Sequence, residues 1–168
     1  MPRSLTNLAA LFLRDAAAFR NMVKSPVLIW KAPPSDASGM TWQGTHPGVG
    51  PSRPHEGQAL VFDVSKGTGK QNAFAMGVTV GRIDTNDVPL DDVSVSRFHA
   101  WLQQEANGWV LCDAESKNGT FCEGRRVEPK QKMAIKDRSK LKFGEVEVTF
   151  LEVDALIAMM EGMMKGGS

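Results

Sequence analysis

Residues 96–121 read SRFHAWLQQEANGWVLCDAESKNGTF, and this stretch decides the fold. Within it, RFHAWLQQ (97–104) and WVLCDA (109–114) are short runs of apolar and aromatic residues, separated by Asn107-Gly108. Asn-Gly tolerates positive φ at both positions, so two such runs around it predict a hairpin. A second Asn-Gly, at 118–119, separates WVLCDA from TFCEG (120–124).

Working outward, the same texture continues on both sides. Upstream lie ALVFDV (59–64), AFAMGVTVGR (73–82) and DVPL (87–90). Downstream lie VEPK (127–130), KMAIK (132–136), KLKFG (140–144) and VEVTFLE (146–152). Several strands at this spacing, with no helix between them, predict an all-β sandwich. In KLKFG, Leu141 and Phe143 alternate with Lys140 and Lys142, the pattern of a strand with one wet face.

The flanks read differently. Residues 4–24 place Leu5, Leu8, Phe12, Phe19 and Val23 near one face of a helix with Ser4 as N-cap. That helix and a short strand-like tail make up residues 1–31. Residues 32–58 interleave five prolines (33, 34, 47, 51 and 54) with five glycines and carry Trp42. Such a segment cannot sustain a hydrogen-bond ladder and reads as a linker or an irregular wrap. The β-rich block then occupies 59–152. A second amphipathic helix follows from Val153, with Leu156, Ile157, Met160 and Met164 on one face, and residues 153–168 end in a Gly-Gly-Ser tail. The apolar faces of both helices need a partner: each other, the β-rich block, or a second molecule, so a homo-oligomer through them is open.

Composition narrows the function. The chain has 168 residues, 42% hydrophobic and 23% charged, with a net charge of +1. Residues 59–151 are balanced at 13 Lys/Arg against 13 Asp/Glu. A duplex-binding module needs a basic excess to neutralise phosphates, so nucleic acid is not an expected partner. A local basic stretch runs from Gly124 to Lys142, with eight Lys/Arg against Glu128 and Asp137. It reads as strand alternation with wet lysines, or as a patch for an acidic or multiply phosphorylated partner. No apolar run approaches the ~18–20 residues that span a bilayer, so no membrane role is expected. Cys112 and Cys122 fit a reducing cytoplasm better than a disulfide scaffold. His46, His55 and His99 lack metal-ligand spacing, so neither a metal nor a cofactor is expected. No nucleophile–base pair, carboxylate dyad or phosphate-cradling glycine loop stands out, and no enzyme is expected.

Three motifs remain. Gly81-Arg82 ends a strand before a polar turn; Ser96-Arg97-Phe98-His99 opens a strand after an Asp-rich loop; Ser116-Lys117-Asn118-Gly119-Thr120-Phe121 forms a loop between strands. In this order and spacing, with Val93 to Ser96 and Trp109 to Asp113 between them, they resemble the forkhead-associated (FHA) domain over roughly residues 59–151. The resemblance implies a β-sandwich of about eleven strands whose loops at one end bind a phosphothreonine segment of another protein, a kinase or kinase substrate. It implies Arg82, Ser96 and Asn118 as the centre of the site. It makes His99 a structural imidazole, Gly81 and Gly119 backbone requirements, and Thr120 a bracing hydroxyl. Arg97 and Lys117 are secondary contacts or solvated charges. Asp113 and Ser116 brace the third loop. The resemblance also implies that phosphoserine binds more weakly, because a small pocket takes the threonine methyl.

The chemistry of these residue types fits. A phosphate brings about −1.5 to −2 charges and three strong acceptors. Arg82 answers with a planar fork of donors that cannot lose its proton. Ser96 offers a directed neutral donor, and the Asn118 amide offers donor and acceptor to a peptide backbone. The competing expectation is a scaffold of the same fold that assembles without phosphate, through its terminal helices.

Overall fold

In the computed structural model, residues 3–32, 54, 58–66 and 77–166 are described. The linker expected over 32–58, with Trp42, falls almost wholly outside them, as do the loop after Lys66 and the Gly-Ser tail. The elements run β1 (Arg3–Ser4), α1 (Leu5–Arg14), α2 (Ala16–Met22), β2 (Val27–Lys31), β3 (Ala59–Asp63), β4 (Val78–Gly81), β5 (Val88–Pro89) and β6 (Ala100–Glu105). They continue as β7 (Gly108–Asp113), β8 (Thr120–Cys122), β9 (Arg125–Arg126), β10 (Lys132–Ile135), β11 (Lys140–Phe143), β12 (Val146–Leu151) and α3 (Val153–Lys165).

The strands form two sheets. One has seven strands in the order β1-β3-β2-β12-β11-β8-β9, the other five in the order β10-β7-β6-β4-β5. Apart from the short parallel pair β4–β5, the pairings are antiparallel. Leu28, Trp30, Phe62, Phe143 and Phe150 of the larger sheet share one buried cluster with Val80, Ala100, Leu102 and Leu111 of the smaller. Alternation puts every second side chain into that cluster. Each buried aliphatic or aromatic side chain contributes roughly 1.5–3 kcal/mol relative to exposure.

The strand-like tail expected at the end of the N-terminal segment is a strand of the larger sheet. β2 lies between β3 and β12, pairing Ile29 with Val61 and with Thr149. A four-residue apolar run bounded by Pro26 and Lys31 has two faces to bury, and the sheet centre supplies both: Leu28 and Trp30 face the inter-sheet cluster, Val27 and Ile29 the opposite side.

The helix expected over residues 4–24 is two helices. Ser4 Oγ accepts from the Asn7 N–H at 3.0 Å and caps α1. Asp15 then ends α1 and starts α2: its N–H donates to the Leu11 carbonyl, and its Oδ1 accepts from the Ala18 N–H at 2.9 Å. A carboxylate that can cap the following turn makes the break inexpensive. The break folds Phe12 and Phe19 edge to face, 5.3 Å between centroids.

The apolar faces of these helices find their partner within the chain. Leu8, Phe12, Phe19 and Val23 pack with Ala155, Leu156 and Met160 of α3 over Val27, Ile29, Val61 and Leu151 of the larger sheet. Leu13, Met22, Met163 and Met164 remain exposed.

Candidate functional site

The loops after β4, before β6 and after β7, together with the β11–β12 turn, meet at one end of the sheets. Gly81 begins the site by allowing close approach. A Cβ at this position would lie 2.1 Å from the Arg97 carbonyl oxygen and 2.6 Å from Asn86 Nδ2, so only glycine fits. Arg82 follows, with its backbone N–H donating to the Ser96 carbonyl at 2.9 Å. Its half-buried guanidinium has no hydrogen-bond or ion-pair partner among the described residues. Buried Asn86 braces this loop, donating from Nδ2 to the carbonyls of Ile83 (2.9 Å) and Arg97 (2.7 Å).

His99 ties the second loop to the third. The ring is fully buried, and its Nδ1 accepts from the Ser96 N–H at 2.9 Å. That leaves the proton on Nε2, which donates to the Gly119 carbonyl at 2.9 Å. Phe143 covers the ring edge to face, at 5.7 Å. Burial pushes the imidazole below its ordinary range, against the opposing effects of the Gly119 carbonyl and the Asp113 carboxylate, which favours the neutral ring this geometry requires.

The third loop is held from inside by Asp113. Its buried carboxylate accepts from the Ser116 N–H (3.1 Å) and hydroxyl, and from the buried Thr120 hydroxyl (2.6 Å). Ser116 Oγ in turn accepts from the Gly119 N–H at 3.1 Å. Lys117 and Asn118 are thereby presented outward. The Lys117 N–H donates to Ser96 Oγ at 3.0 Å, and Asn118 Nδ2 donates to the Ser94 carbonyl at 2.8 Å. The Lys117 ammonium and the Arg97 side chain are exposed.

Backbone contacts thus bring Arg82, Ser96 and Asn118 into one loop cluster, with Arg97 and Lys117 on its rim and Gly81, His99, Gly119 and Thr120 beneath. Sequence reasoning missed Ser94 and Gly144. The Ser94 hydroxyl donates to Asp92 Oδ1 (2.7 Å) and accepts from the Glu145 N–H (2.9 Å). Gly144 sits at φ +60, where a Cβ would lie 2.3 Å from the Ser94 carbonyl oxygen. The Asp-x-Ser spacing at 92–94 is a turn signature and the available signal. Cys112 and Cys122 are buried and unpaired, and burial raises both thiols, which disfavours the thiolate a nucleophile needs. Among the described residues no group of three metal-ligating side chains forms.

Two β-sheets thus present a hydrogen-bonded loop cluster at one end, with an uncommitted guanidinium in it. Residues 78–144 match the family model of the FHA domain, and the chain is an FHA-domain protein. Over 99 residues it is 30% identical to the oxoglutarate dehydrogenase inhibitor of Corynebacterium jeikeium, an alignment covering 57% of this chain and 66% of that protein. Over 92 residues it is 28% identical to the transcriptional regulatory protein EmbR of Mycobacterium tuberculosis, covering 55% of this chain and 23% of EmbR. The chain therefore spans less than two thirds of either relative. Among solved structures it is similar to EmbR in complex with a low-affinity phosphopeptide, at 27% identity and TM-score 0.42 over 46% of this chain and 20% of that one. It is also similar to an FHA domain of Arabidopsis thaliana, at 21% identity and TM-score 0.49 over 78% of this chain and 88% of that one.

Proposed function

We propose that this chain binds phosphothreonine peptides and acts as an adaptor in Ser/Thr kinase signalling, its two sheets serving as a sandwich that holds the loops. One observation carries the reading. The Arg82 backbone is locked to Ser96, and Ser96 to the Lys117 N–H, while the Arg82 side chain keeps all its donors unspent among the described residues. A phosphate entering this cluster meets a guanidinium fork, the Ser96 hydroxyl and, on the rim, the ammonium of Lys117. Each charge-assisted hydrogen bond contributes on the order of 1.5–3 kcal/mol. Asn118 retains its amide oxygen and one N–H for the peptide backbone.

The FHA family and the sequence relative EmbR, which has been solved with a phosphopeptide, support the same ligand class. The partner on this reading is a kinase or kinase substrate. The setting on this reading is the cytoplasm. No helix among the described residues is long and apolar enough to cross a membrane. The phosphate-independent scaffold is disfavoured because the terminal helices spend their main apolar faces on the sheet.

An oriented phosphothreonine peptide library, with the unphosphorylated and phosphoserine versions as controls, tests this. The expected result is retention of phosphothreonine peptides, weaker retention of phosphoserine and none without phosphate. Equal retention of the unphosphorylated library would overturn the reading.

A further inference from the structure

The outer face of the seven-stranded sheet is only partly covered by the helices. Leu141 and Phe143 point into the core, so Lys140 and Lys142 project outward. Cross-strand partners share a face. Lys142 therefore stands beside Phe121, and Phe121 beside Arg126. This row begins at the candidate site: a Cβ at Gly119 would lie 3.3 Å from the Phe121 ring and 3.8 Å from Arg126 Nε. In the other direction it leads through Lys140 to a groove of about 460 Å³ against α3. Ile29, Leu151, Ala155 and Met159 give the groove apolar walls, and Lys31, Arg138 and Lys140 rim it with charge.

Five cations thus share one face. Arg138 approaches its neighbour Asp137 at 4.0 Å, whereas the side chains of Lys31, Arg126, Lys140 and Lys142 have no ion pair among the described residues. The acids on this face are Asp137 beside Arg138, Glu147 opposite Lys142, and Glu123, whose carboxylate accepts from the Lys140 backbone N–H. Positive charge predominates, and an apolar receptacle lies at its far end.

We infer that this face is a second recognition track, which takes an acidic segment of the same phosphorylated partner and seats one of its apolar side chains in the groove. The inference rests on the phosphothreonine reading, since the phosphate anchors one end of the segment. Charge complementarity and continuity with the site select this occupant. An extended chain advances about 3.3–3.6 Å per residue, so a handful of residues beyond the phosphothreonine reaches Lys142 and then Lys140. Once the phosphate is bound, the second contact is intramolecular and adds affinity without a new encounter.

The test uses fluorescent phosphothreonine peptides chosen from the library above and carrying roughly eight added residues, enough for the reach just given. The tail alternates either Glu and Leu or Gly and Ser, and is placed before or after the phosphothreonine in separate probes. For one placement, the Glu/Leu tail is expected to tighten binding to the wild-type chain at least fivefold. That gain should vanish in the Lys140→Glu/Lys142→Glu variant and shrink in Arg126→Ser, while the Gly/Ser probe binds all three alike. If no phosphothreonine peptide binds at all, the phosphothreonine reading falls. If one binds and neither tail placement adds affinity, the track falls while the site stands. Equal loss of both probes in the double lysine variant also overturns it. So does lysine-dependent binding to phosphatidylserine vesicles, which would assign the face to a lipid surface.

Discussion

Buried His99 reaches across two loops to Gly119, donating from Nε2 to its carbonyl at 2.9 Å, and the same carbonyl accepts the Gly144 N–H at 3.0 Å. One peptide oxygen therefore fastens the second loop, the third loop and the β11–β12 turn together. Because the imidazole also accepts from Ser96, it must stay neutral for both bonds to persist.

Acid should loosen this fastening. Burial holds the folded-state value of His99 below its ordinary value of about 6.5, so the unfolded chain takes up the proton first as pH falls. Stability conferred by the neutral ring is fully present above about pH 6.5. It is lost progressively as pH falls toward the lowered folded value, at no more than about 1.4 kcal/mol per pH unit. Urea midpoints measured from pH 7.5 downward should decline more steeply for wild type than for His99→Gln. Parallel curves would remove His99 from the explanation.

Arg82→Ala should abolish detectable phosphopeptide binding, and Arg82→Lys should restore only part of it. A point charge replaces the fork, and each charge-assisted hydrogen bond lost costs on the order of 1.5–3 kcal/mol, roughly tenfold or more in Kd. Isothermal titration of the three proteins against one phosphothreonine peptide measures this. Thermal melting should be nearly unchanged, because the guanidinium makes no hydrogen bond or ion pair among the described residues.

Gly81→Ala should destabilise the fold by about 3 kcal/mol, because the new methyl meets the Arg97 backbone rather than a yielding side chain. Gly108→Ala makes a useful comparison. Nothing lies within 4 Å of a Cβ there, and its φ of +128 leaves only conformational strain to act. Denaturant midpoints should rank wild type above Gly108→Ala above Gly81→Ala.

Phe19→Ala should cost about 3–5 kcal/mol by emptying a fully buried position between the helices and the sheet. Peptide affinity measured well below the melting temperature should be retained, since Phe19 lies on the far side of the larger sheet from the inter-sheet cluster. A variant that kept wild-type stability would contradict the packing of α2 against that sheet.

Much of the candidate site was legible because each motif is local. Gly81-Arg82, the SRFH run and the SKNGTF run each hold their candidate residues within a few positions, and their order restricts what can surround them. Ser94 escaped because its importance comes from Gly144 and Glu145, remote in sequence and brought close only by the fold. The break at Asp15 was hidden because helical periodicity survives across it, from Phe12 to Phe19. β2 was read as a tail because four apolar residues fit a buried strand and a helix end equally well. The long Pro/Gly-rich segment then separated it from the strands it joins.

That central placement of β2 has a consequence for synthesis. Its neighbour β12 follows every other described strand in the chain, so no nascent chain can complete the larger sheet until β12 has been made. Until then Val27, Leu28, Ile29 and Trp30 lack one flanking strand, and pairings between such distant segments are intrinsically slow to form. During that interval Val27 and Ile29, which later anchor the helices, are unprotected apolar residues open to aggregation, and this strand is a natural stretch for a chaperone to hold.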